Sequence, residues 1–106
     1  MPKYLVQFSY TGEGVKGLLK EGGSKRRDAV DQLTRSMGGT LEAFYFAFGE
    51  SDGLCIIDAP DNIITSAATL LVNASGGAQT TTTVLLTPEE VDQAVKKTGD
   101  YRPPGQ

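Results

Sequence analysis

Three glycine pairs, Gly22-Gly23, Gly38-Gly39 and Gly76-Gly77, cut this chain of 106 residues into short segments, each with room for only a few regular elements. Glycine tolerates turn and helix-end conformations that other residues avoid, so paired glycines act as punctuation. Before the first pair, Tyr4, Val6, Phe8 and Tyr10 alternate with Leu5, Gln7 and Ser9, the two-residue period of a strand. From Glu13 the spacing of Val15, Leu18 and Leu19 predicts a short helix that the glycines end. A second helical stretch runs from Ser24 to Met37, with Val30, Leu33 and Met37 on one side, and stops at Gly38-Gly39.

The next segment carries two strands and a helix. Leu41 to Phe48 places Leu41, Ala43, Tyr45 and Ala47 on one face and Glu42, Phe44, Phe46 and Phe48 on the other. After Glu42 both faces are nonpolar, so neither is suited to bare solvent. The turn Gly49 to Gly53 leads into Leu54 to Ala59, closed by Pro60, and the two strands read as a hairpin. Asp61 or Asn62 then caps a helix in which Ile64, Ala67, Ala68, Leu71 and Val72 recur at helical spacing.

Beyond Gly76-Gly77, Gln79 to Leu86 contains four threonines, whose β-branched side chains favour extended backbone. Thr87-Pro88-Glu89-Glu90 has threonine at the N-cap, proline at N1 and glutamate at N3, which together start a short helix carrying Val91, Ala94 and Val95. Residues 99–106, including Tyr101-Arg102-Pro103-Pro104-Gly105, read as an extended tail behind a single domain over 1–98.

The order β-α-β-β-α-β, with the first helical region broken in two and a helix added at the end, is the α+β, ferredoxin-like arrangement. Its helices cover one face of an antiparallel sheet. A chain of this length buries roughly 65% of its unfolded surface, enough for a core without metal or disulfide. The nonpolar second face calls for cover by another subunit or for a ligand cavity. Twofold homodimers are the commonest assemblies, so sheet-to-sheet self-association is the expected partnership.

Composition narrows the chemistry. The chain has no histidine, which removes Ser-His and Cys-His machinery, histidine bases and histidine-bearing metal sites within one protomer. Its single cysteine, Cys55, lies in the apolar run Leu54-Cys55-Ile56-Ile57 and reads as a core residue, with no thiolate cluster available. No cofactor or metal is expected. A net charge of −3 argues against nucleic acid, and Asp28 interrupts the Lys25-Arg26-Arg27 cluster, which reads as a solvated helix start. No run is long enough to span a membrane, and Met1-Pro2-Lys3-Tyr4 enters a strand without a signal-type apolar stretch, so a cytoplasmic location is the expectation. The glycine pairs lack the phosphate-cradling patterns and read as turns.

With these residues in view, the chain resembles the GYD domain family over nearly its whole length. The resemblance rests on Pro2-Lys3-Tyr4-Leu5-Val6, Thr11-Gly12-Glu13-Gly14-Val15-Lys16-Gly17-Leu18, Gly38 to Gly49, Ala59-Pro60-Asp61-Asn62 and Thr83 to Glu90. In the Gly-Tyr-Asp stretch the chain reads Gly49-Glu50-Ser51-Asp52, with Ser51 in place of the tyrosine. The resemblance implies a dimeric α/β-barrel form of the ferredoxin-like fold. Its wider relatives include small monooxygenases, isomerases and stress-induced binding proteins.

A cleft between the sheet and the early helices is expected to gather Gln7, Ser9, Lys16 and a buried Tyr45 as ligand-binding residues. There Tyr45 orients a small polar group while aromatic neighbours enclose the apolar part. Lys16 acts as a base only if its pKa falls toward neutrality; otherwise it fixes an anion. Lys16, Tyr45 and Asp58 are the candidate catalytic groups, and Asp52 is a turn residue at the rim. The leading function is small-ligand binding by a homo-oligomer. The alternatives are a cofactor-free monooxygenase or isomerase on a small aromatic or enolisable substrate, and a purely structural or protein-interaction subunit.

Overall fold

The computed structural model describes residues 1–106 and orders them as β1 (Lys3–Tyr10), α1 (Gly12–Glu21), α2 (Gly23–Ser36), β2 (Thr40–Phe46), β3 (Gly53–Asp58), α3 (Asn62–Ala74), β4 (Ala78–Leu85) and α4 (Pro88–Ala94). The four strands form one sheet in the order β2-β3-β1-β4, with every neighbouring pair antiparallel. This is the ferredoxin-like α+β architecture. The expected strand and helix boundaries hold to within two residues, the largest difference being β2, which ends at Phe46 and leaves Ala47 and Phe48 in the connection to β3.

Local signals account for the breaks. Gly22 adopts φ 85°, ends α1 through its N–H to the Leu18 carbonyl and opens α2, so one residue makes the corner between two helices. Asp61 caps α3 by accepting from the Ile64 N–H at 2.8 Å. At α4 both bonds of the capping box form: Glu90 N–H to Thr87 Oγ1 at 3.1 Å and Thr87 N–H to Glu90 Oε1 at 2.9 Å.

Strand alternation sends Tyr4, Val6 and Phe8 to the helix-covered face, where Tyr4, Val6, Cys55, Ile57 and Ala59 form the core and Val30, Leu41 and Phe44 pack on it. The Tyr4 hydroxyl, on the most deeply buried side chain, donates to Asn62 Oδ1 at 2.6 Å and ties β1 to the start of α3. Edge strand β4 is latched by Asn73, which accepts from the Thr80 N–H at 3.1 Å and donates to Thr80 Oγ1 at 2.9 Å.

Several side-chain placements differ from the periodicity, among them Leu19 of α1, which faces solvent. Leu41 pairs with Ile57 but Ala43 pairs with Ile56, so Glu42 is the extra residue of a β-bulge. Leu41 therefore shares the covered face with Phe44 rather than with Tyr45. On α3, Leu71 is 58% exposed and joins Ile63 and Leu70 on the outer side, while Val72 turns inward.

The opposite face of the sheet has no helix over it. Ala43, Ile56, Leu5 and Thr83 form one row across it, and Tyr45, Leu54, Gln7 and Thr81 the next. α4 makes no substantial contact with the other elements. With the tail it extends the molecule to 57 Å and its radius of gyration to 16.9 Å, against about 13 Å for a compact chain of this size. No helix is long and apolar enough to cross a membrane.

Candidate active cleft

Tyr10 ends β1 on the covered face, and three cavities meet at its ring. A partly open inner chamber of about 80 Å³ lies between the sheet, α2 and α3, lined by Val6, Phe8, Val30, Phe44, Cys55 and Val72. A vestibule of about 170 Å³ opens between α1 and the α3–β4 turn, bordered by Gly14, Gly17, Glu21, Ser75 and Gly77. A wider groove of about 410 Å³ runs between α1 and the β2–β3 connection, over Val15, Leu18, Phe46, Phe48 and Asp52. Arg26 lines the chamber and the vestibule together with Tyr10, Val72 and Ala78.

Aromatic packing shapes the partitions. Phe8 stacks on Phe44 at 5.4 Å between ring centroids and meets Tyr10 edge-on at 5.4 Å, while Phe44 and Phe46 form a second edge contact at 5.3 Å. Glycine makes this packing possible at Gly53, where a Cβ would run into the Phe8 ring and the Tyr45 carbonyl. At the vestibule α1 is drawn against the start of β4, with the Thr11 N–H donating to the Gly77 carbonyl at 3.0 Å and the Thr11 hydroxyl to the Gly76 carbonyl at 2.7 Å.

The polar groups at the cleft are few. Burial pushes the Tyr10 hydroxyl above its usual pKa, the neighbouring Arg26 guanidinium opposes the rise and the Asp52 charge adds to it. Arg26 stands 3.7 Å from Glu21. Burial also pushes the Cys55 thiol up to about 11, so it lines the chamber as a protonated, inert group.

The expected four-residue cleft does not assemble. With Val6 and Phe8 pointing to the helices, Gln7 and Ser9 must point to the open face, and with Phe44 and Phe46 inward, Tyr45 must point outward. Tyr45 is 66% exposed rather than buried. Lys16 projects from α1 into solvent and reaches Glu13 at 3.6 Å. Gln7 and Ser9 do share a polar groove of about 270 Å³ with Ser51, Gln79 and Thr81, on the open face.

The candidate catalytic groups are likewise dispersed. Asp58 accepts from Lys3 at 2.9 Å, and Glu42 from the same ammonium at 2.7 Å. Hydrogen bonds to Glu42 and Asp58 raise Lys3 to about 12. Asp58 is thus part of an ion cluster at one end of the open face, and Lys16 lies on the helix side of the molecule. No group of three or more potential metal ligands converges.

Two residues of the cleft escaped the sequence reading. Arg26 belongs to a cluster whose charge predicts a solvated face, yet it lies four residues before Val30 and so shares the inward side of α2. Tyr10 continues the Tyr4-Val6-Phe8 face, and that spacing was the available signal for it. Asp52 reaches the groove as a rim residue.

The model of the family described as the GYD domain matches residues 4–95. No curated protein and no solved structure matches the chain.

Proposed function

The chain belongs to the GYD domain family, and from that premise we propose that it binds a small, largely nonpolar ligand on the helix-covered side of its sheet and works as a homo-oligomer. One observation carries the binding reading. Eight of the ten residues around the inner chamber are hydrophobic, Tyr10 among them, and Arg26, Thr80 and the Tyr10 hydroxyl supply its polarity. Enclosure by apolar side chains with a few placed polar groups is the usual make-up of a small-molecule site.

Native mass spectrometry of the purified protein, followed by the denatured sample, tests it. A reproducible mass lost on denaturation is the expected result. Failure to retain a molecule, combined with no response to small hydrophobic probes, would sink the reading.

Self-association is supported by the open face, whose centre is formed by Leu5, Ala43, Leu54 and Ile56 with no element of the same chain across it. A second copy is the occupant this surface fits, because a nonpolar patch flanked by the Lys3, Glu42 and Asp58 charges can pair with itself about a twofold axis. The projecting α4 adds exposed Val91 and Val95 to the surface such a copy could cover. A mass of two or more chains in solution is expected, and Ile56→Glu is expected to shift it to one. A wild-type protein that stays monomeric at high concentration would remove this part of the proposal.

A further inference from the structure

The inner chamber and the vestibule differ in character but share one charged residue. The chamber is nearly all nonpolar, whereas the vestibule has Glu21, Ser75 and glycine backbone around it. Arg26 borders both, with its side chain about one-third exposed. An arginine can lay its alkyl stem along an apolar wall while its planar fork faces a polar opening, and that fork matches a carboxylate.

The fork faces the Tyr10 hydroxyl but has no close carboxylate partner. Glu21 approaches to 3.7 Å, well beyond the 2.7–2.9 Å of a charge-assisted hydrogen bond. Asp52, the other carboxylate bordering Tyr10, accepts instead from the Tyr10 N–H at 2.7 Å. The vestibule side of Arg26 thus holds a loosely paired carboxylate, which a ligand carboxylate could displace.

Volume bounds the rest of the ligand. An apolar cavity of about 150 Å³ takes benzene, and a chamber of about 80 Å³, roughly half of that, suits a chain of about three aliphatic carbons better than a ring. Building on the ligand-binding reading above, we propose that chamber and vestibule together form a site for a short-chain aliphatic carboxylate. Its tail lies against Val6, Val30 and Phe44, and its carboxylate replaces Glu21 on Arg26 at the neck.

The test is a titration of the full chain followed through its backbone amide resonances, with butyrate, its neutral isostere butyramide, benzoate and toluene as probes. Butyrate is expected to shift Gly77 and Ala78, and butyramide to bind at least tenfold more weakly. Glu21→Gln, which removes the internal competitor, is expected to tighten butyrate about threefold. Arg26→Gln is expected to weaken it at least tenfold, with Arg26→Lys recovering part of the loss. The unfolding midpoint of each variant separates lost binding from lost fold.

Equal affinity for butyrate and butyramide, or Arg26→Gln binding butyrate as wild type does, would overturn the carboxylate assignment while leaving ligand binding in place. Benzoate binding as tightly as butyrate would overturn the aliphatic chain. Toluene bound without butyrate or butyramide would remove this site and keep the broader reading, and no probe bound at all would remove both.

Discussion

The backbone N–H of Tyr10 donates to Asp52 Oδ2 at 2.7 Å, while the Asp52 N–H donates to the Phe8 carbonyl at 2.8 Å. One residue of the β2–β3 connection thus clasps the end of β1 with its side chain and its backbone, while its carbonyl accepts from the Ala47 N–H at 2.9 Å at the groove. Asp52→Ala removes only the side-chain half. A loss of about 1–2 kcal/mol is expected in denaturant unfolding, with Asp52→Asn losing less because it keeps an acceptor. An unchanged midpoint in Asp52→Ala would show that the clasp contributes nothing.

Gly14 and Gly17 lie one turn apart in α1 but face different surroundings. A Cβ at Gly14 would collide with the Gly77 carbonyl, whereas at Gly17 it meets open space. Gly17→Ala is expected to stabilise by about 0.5–1 kcal/mol through helix propensity alone. Gly14→Ala is expected to destabilise by about 1–3 kcal/mol because backbone must move. Thermal unfolding of the two variants gives opposite signs if the approach of α1 to β4 is as tight as described.

Cys55 retains its proton up to about 11 because it is buried, while an unfolded thiol titrates near its ordinary value of 9.0. Between those values the folded chain holds the extra proton, so stability falls as pH rises from about 9 to about 11. The loss attributable to this group is roughly 2–3 kcal/mol. In Cys55→Ala that part of the alkaline decline should disappear. The decline as Lys3 loses its proton near 12 should remain. Identical pH profiles for the two proteins would contradict the placement of the thiol.

Thr87→Ala deletes a capping box on a helix that makes no substantial contact with the rest of its chain. Unravelling of α4 is expected, seen as a loss of helical ellipticity, with global stability changed by less than about 0.5 kcal/mol. A global loss above about 1 kcal/mol would instead mean that α4 is docked on a partner.

The elements of this fold are readable where a local rule decides them. Thr87 to Glu90, Asp61 and the glycine pairs state their own caps and turns, and the β1 alternation assigns every side chain of that strand to the correct face. What periodicity misses are events that no residue type announces. The bulge at Glu42 inserts one position into β2, and everything before it changes face relative to everything after. The sequence places Tyr45 inside as the group that orients a ligand, but the alternation that turns Phe44 and Phe46 toward the helix side turns it out. The cleft was anticipated between the sheet and the early helices, and a cleft is there. Its lining comes from Tyr10, Arg26 and Phe44, because which polar residues face inward depends on how α1 and α2 are rotated, and a charged cluster on a helix does not reveal that.

The extra residue in β2 also bears on how this chain can change length. Without Glu42, Leu41 would precede Ala43 directly, and Leu41, Ala43 and Phe44 would alternate inward, outward and inward as they already do. A single-residue deletion here would remove the solvent-screened Lys3–Glu42 ion pair and restore a regular ladder. Deleting a neighbour such as Tyr45 would instead move Phe44 and Phe46 to opposite sides. Position 42 is therefore where related chains can lose a residue and keep the same core, and the unfolding midpoint of the Glu42 deletion against that of the Tyr45 deletion would read the difference directly.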